Sequence, residues 1–116
     1  MGDTPVSRGT VEPYRWGTGC LGWHLVRTDS LSVIQETMPP RTEEVRHRHR
    51  RARQFFYVLR GTLMLDCDGV RHQLAPGTGL EIAPMTPHQV RNESAEYAEF
   101  LVVSQPPSHG DREAAP

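Results

Sequence analysis

The chain lacks an apolar run long enough to cross a bilayer. Its longest, Phe55-Phe56-Tyr57-Val58-Leu59, falls far short of the roughly 18 residues that a crossing needs. Met1 to Gly17 holds no apolar stretch of the kind a secretory leader requires. Cysteine is scarce: Cys20 and Cys67 stand alone, which gives neither a disulfide framework nor a metal-type pair. A reduced, cytoplasmic protein is the expectation. An excess of one charge is missing too. With 13 Lys+Arg against 14 Asp+Glu the net charge is -1, so there is no general reason to expect a nucleic acid or a membrane as partner. Nor is there a Gly-rich phosphate loop, a nucleophile elbow or a Cys-His pair at motif spacing.

What is present fits one small domain. The chain has 116 residues, too few for two cores, and its mean hydropathy is -0.57. Ten prolines and ten glycines cut it into short pieces, which disfavours a helix bundle and favours strands joined by turns. Strands are expected at Gly22 to Arg27, Leu31 to Met38, Val45 to His49, Gln54 to Arg60, Thr62 to Cys67, Val70 to Leu74, Leu80 to Ala83, His88 to Arg91 and Glu96 to Val103. Asp68-Gly69 is the strongest hairpin signal, since both residues tolerate positive φ. Residues 1–21 read as a loose arm, 22–104 as the β domain and 105–116 as a frayed tail. One segment carries mixed signals. Ala52, Phe55, Phe56 and Leu59 have helical spacing, but the aromatic and β-branched content of Phe55 to Val58 argues for a strand.

Histidine decides in favour of the strand. His47 and His49 are separated by one residue. On a helix such neighbours point to nearly opposite sides, whereas on a strand they share a face. Gln54 opens the next strand and His88 a later one, so three imidazoles and one side-chain oxygen could meet on one ion. The plain alternative is an H-x-H pair on a solvated strand. His24, His72 and His109 have no partner at ligand spacing and read as surface or packing residues.

These spacings resemble a known family. His47-Arg48-His49, four residues, Gln54, six residues and Gly61 resemble the first motif of the cupins, H-x-H, three or four residues, Glu, six residues, Gly. Gly77 through Pro84 and His88 to Asn92 resemble the second, in which Gly leads to a Pro-Gly turn and then H-x-x-x-N. The resemblance implies an all-β jelly-roll barrel, commonly dimeric, with one divalent transition metal held by His47, His49, Gln54 and His88. Fe(II) is the first expectation, with Mn, Zn, Ni and Cu open. Gly61 and Asn92 then look like turn and strand-end positions. Three residues depart from the pattern: Gln54 stands for Glu, Ala83 for a frequent Pro and Met85 for the turn Gly.

Glutamine offers a carbonyl oxygen of similar reach to glutamate but no charge. An ion held by three neutral imidazoles and Gln54 keeps its full charge. It is then bound more weakly, acts as a stronger Lewis acid and favours an anionic second partner. Gln54 either ligates directly or hydrogen-bonds a histidine or water. The arginines around the histidines, Arg46, Arg48, Arg50, Arg51 and Arg53, read as outward or loop residues. Phe56 and Val58 share the inner side of Gln54, with Phe55 and Tyr57 facing the other sheet or a partner copy. Two functions remain. One is an enzyme acting through a mononuclear metal on a small, oxygen-bearing molecule, anionic or neutral, by dioxygenase-like or by enolate and carbonyl chemistry. The other is a non-catalytic small-molecule or metal-binding module. Catalytic acids and bases are not assigned; Gln35, Met38 and Tyr97 are candidate inward positions.

Overall fold

A computed structural model describes residues 4–115. Among them are twelve strands and no helix: β1 (Tyr14–Trp16), β2 (Cys20–Arg27), β3 (Ser32–Met38), β4 (Thr42–Glu43), β5 (His47–His49), β6 (Arg53–Arg60), β7 (Leu63–Cys67), β8 (Val70–Leu74), β9 (Gly79–Ile82), β10 (His88–Asn92), β11 (Ala98–Gln105) and β12 (Arg112–Ala114). Nothing described is a helix long and apolar enough to cross a membrane.

The strands form two antiparallel sheets. One runs β1-β2-β3-β11-β6-β9, the other β12-β5-β10-β7-β8, with β4 pairing to β10. The chain crosses between sheets repeatedly, so the fold is an all-β jelly roll. The two inner faces meet in a core of Met38, Val58, Leu63, Leu65, Ile82, Val90 and Phe100. The segment with mixed signals is β6. Its alternation buries Gln54, Phe56 and Val58 and leaves Arg53, Phe55 and Leu59 exposed, as period-2 geometry requires.

Turn chemistry closes the connections. Asp68 and Gly69 both have positive φ, 51° and 83°, between β7 and β8, the combination a two-residue hairpin needs. Gly61 has φ 76°, and a Cβ there would collide with the Tyr97 carbonyl. Asn92 is fully buried and does more than end a strand. Its Nδ2 reaches the carbonyls of Met38, Pro39 and Glu96 at 2.9, 3.1 and 2.8 Å, tying β10 to the chain on either side of it.

The structure departs from the sequence reading at both ends. Residues 1–3 and 116 lie outside the described part of the expected arm and tail. Within the arm, β1 pairs with β2. The tail is not frayed: β12 pairs with β5, Arg112 opposite His49 and Ala114 opposite His47. Asp111 fastens it. The Asp111 Oδ2 accepts from the backbone N–H groups of Arg51 and Ala52, both at 2.8 Å. Burial pushes the Asp111 carboxyl up, but the backbone donors of Arg51, Ala52 and Arg50 outweigh it and hold the group below the usual aspartate range.

Candidate metal centre

Strand geometry brings the histidines together. The pleat points His47 and His49 to the interior while Arg48 faces outward to Glu113. β10 lies beside β5 with His88 opposite His47. All three rings are buried, with centroids 4.9 Å apart for His47–His49, 4.5 Å for His47–His88 and 5.6 Å for His49–His88. One nitrogen from each lies within 4.8 Å of the other two.

The backbone sets two of the tautomers. His47 Nδ1 is 2.8 Å from the Val45 carbonyl and His88 Nδ1 is 2.9 Å from the Thr86 carbonyl. A carbonyl only accepts, so each Nδ1 carries the proton and each Nε2 keeps its lone pair. Burial keeps all three rings neutral. It lowers His47 to about 3, against the Val45 hydrogen bond, and lowers His49 to about 4, helped by His88. His88 is lowered by burial too. Neutral imidazole is the form that a metal needs.

Gln54 is positioned by its partner strand. Ser104 pairs with it across β6 and β11, and Gln54 Nε2 donates to Ser104 Oγ at 3.0 Å. That bond turns the amide so that Oε1 is buried with no hydrogen-bond partner. His88 Nε2 is buried and partnerless as well. Buried polar atoms are rarely left unpaired. An unpaired imidazole nitrogen and an unpaired amide oxygen suit a cation, and the three-histidine group could hold a metal.

The centre opens into a cavity of about 290 Å³. Ile34, Phe56, Val90 and Val102 give it an apolar wall, and Tyr14, Glu36, Glu44 and Arg112 a polar one. Glu44 Oε1 is 3.9 Å from His47 Nδ1; because that ring is neutral, the pair is no salt bridge. Burial raises Glu44 to about 7, against Arg112 and the Val90 N–H.

Several of these residues escaped the sequence reading. Gln35 faces away and donates to Glu99 Oε2 at 2.5 Å, Met38 is core, and Tyr97 is exposed. The cavity side of β3 carries Ile34 and Glu36 instead. A charged residue on an inner face contradicts the apolar-in pattern, and a one-residue shift reverses every side chain. His109, read as surface or packing, is exposed but also lines the cavity. Met85, in the place of the turn glycine, takes φ 69°, and its N–H donates to the His49 carbonyl at 2.7 Å.

Residues 34–104 match the cupin domain family model. The chain belongs to the cupin family. An uncharacterized protein of Methanocaldococcus jannaschii, MJ1618, is 28% identical over 83 residues, covering 71% of this chain and 66% of that protein's length. Among solved structures, a predicted oxalate decarboxylase of Thermotoga maritima superposes with TM-score 0.81 at 19% identity, over 90% of this cupin and 100% of that chain. KdgF of a Halomonas species gives 0.80 at 17%, over 87% and 91%. The polyketide cyclase RemF of Streptomyces resistomycificus gives 0.77 at 22%, over 90% and 82%. At these identities the likeness shows the fold.

Proposed function

We propose that this cupin holds one divalent transition metal on His47, His49, His88 and Gln54 and is an enzyme acting on a small, anionic, oxygen-bearing molecule by carbonyl or enolate chemistry. The observation that carries this reading is the meeting of three buried neutral imidazoles, next to a cavity that His47, His49 and Gln54, with its partnerless amide oxygen, line. The ion supplies Lewis acidity toward a substrate oxygen. Gln54 adds no charge that would stabilise a higher oxidation state, which favours polarisation over redox use. Fe(II) remains the first choice, and Zn, Mn, Ni and Cu share its liking for imidazole.

All 13 Lys+Arg residues are arginine, so a carbonyl substrate would be handled without a lysine Schiff base. Arg112 lines the cavity and suits a carboxylate. Elemental analysis of protein purified without added metal tests the reading directly. One metal per chain is expected, with the occupancy reduced in His88→Ala. A parent protein that neither retains nor takes up a divalent metal overturns it. We also propose a homodimer through the outer face of β6, where Phe55 and Leu59 are exposed; a purely monomeric sedimentation profile removes that idea.

A further inference from the structure

Glu36 is the one acidic residue that the larger sheet turns into the cavity, and a specific device holds it there. Its register neighbours, Gly22 on β2 and Phe100 on β11, are uncharged. Tyr14 pairs with Gly22 across β1 and β2. Because Gly22 has no side chain, the Tyr14 ring lies over it; a Cβ there would run into that ring. The ring thus reaches past β2 to β3, where its hydroxyl donates to Glu36 Oε2 at 3.2 Å. Tyr14 and Glu36 line the same cavity as His47, His49 and Gln54.

We propose that Glu36 is the catalytic acid–base of this cavity, that Tyr14 is its positioning residue, and that the substrate class is a small 2-oxo carboxylate with a C–H beside its carbonyl. This rests on the metal reading above. The carbonyl faces the imidazole cluster and the carboxylate faces Arg112. Glu36 Oε1 takes the proton from the carbon next to the carbonyl. The C–H bond breaks, its electron pair moves toward the carbonyl oxygen to give the enolate, and an O–H bond forms on Glu36. The return step delivers that proton to the enolate, so no oxidant or reductant is needed. Tyr14 keeps Oε2 engaged and leaves Oε1 for the transfer.

The electrostatic setting fits the task. Burial, then the charge of Glu44, raise Glu36 to about 8, with the Tyr14 hydrogen bond opposing. A group titrating near neutrality works in both directions. The titratable and charged groups around it are Tyr14 on β1, Cys20 on β2, Glu44 ahead of β5, His47 and His49 on β5, and His109 and Arg112 at the C-terminal end. Tyr14 itself stacks on His24 at 4.9 Å and feels Arg27.

Exchange of pyruvate methyl protons in D2O by the zinc-loaded protein, followed by proton NMR, tests the assignment. The parent is expected to exchange them, and Glu36→Gln to do so about a hundredfold more slowly with its zinc stoichiometry unchanged. Equal rates, no exchange by either zinc-loaded protein, or loss of zinc from Glu36→Gln alone overturns the proposal. Failure of both proteins to bind zinc overturns the metal reading, and the proposal with it. Tyr14→Phe should move the pH profile of exchange upward, because the hydrogen bond that favours the Glu36 carboxylate is gone; an unmoved profile removes Tyr14's role. A readout without metal or substrate is the melting midpoint. Glu36→Gln should raise it more at about pH 7.5 than at about pH 5, since a buried carboxyl with a raised pKa costs stability as pH rises. An equal shift at both values counts against a cavity carboxyl of this kind.

Discussion

Replacing Asp111 with alanine should unfasten the strand beside the metal ligands. Asp111 Oδ2 accepts two backbone N–H groups, from Arg51 and Ala52, both at 2.8 Å. Hydrogen bonds to a charged group contribute about 1.5–3 kcal/mol each. Part of this is recovered in the variant, because Arg51 is exposed and water can satisfy its N–H. The Arg51 side chain, 4.0 Å from Oδ1 and mostly in solvent, adds little. The net cost is about 2–4 kcal/mol, read by urea denaturation of the metal-free protein. Because β12 pairs with both histidines of β5, zinc affinity measured by chelator competition should fall too. The pH sign is fixed by the depressed carboxyl. Its contribution is present above the unfolded aspartate value of about 3.9 and is lost as pH falls through the lower folded value. Parent and variant should therefore converge in strong acid. A loss under about 0.5 kcal/mol at neutral pH, with unchanged zinc affinity, would mean that Asp111 does not fasten β12.

Three further outcomes follow from the same geometry. Met85→Gly should stabilise by about 0.5–1 kcal/mol, since the left-handed backbone costs a side chain about 1–2 kcal/mol and glycine's extra unfolded entropy returns part of it; a destabilised variant in thermal melts contradicts this. Gln54→Glu should tighten zinc binding and weaken binding of an anionic ligand, and chelator competition showing unchanged affinity argues against Gln54 as a ligand. The metal-free protein should lose stability as pH falls below the unfolded histidine value of about 6.5. The unfolded chain protonates there while buried His47 resists to about 3 and His49 to about 4. The stability–pH slope should be shallower in His47→Gln, and an identical slope refutes the assignment.

Much of the barrel could be read from residue patterns because its strands obey local rules. The alternation along β6 and the Asp68-Gly69 turn are local signals that survive folding. The H-x-H pair was legible for the same reason: period 2 puts both rings on one side. Glu36 and Tyr14 were not legible. A carboxylate facing inward breaks the pattern used to orient β3, and the Tyr14 contact depends on pairing β1 with β2 over a missing side chain at Gly22. The C-terminal strand was missed because Pro106-Pro107 and a polar, charged sequence look like a frayed end. What holds it is Asp111 bonding to a loop some sixty residues earlier, and no local pattern records that. Ser104 likewise matters only through its register with Gln54.

X-ray absorption at the edge of the bound metal reads the three-histidine centre itself. Imidazole scattering from three histidines with an oxygen shell is expected, at about 2.0–2.2 Å if the ion is zinc, with one imidazole lost in His88→Ala. A spectrum of oxygen ligands alone, or one containing sulfur from Cys20 or Cys67, would contradict it.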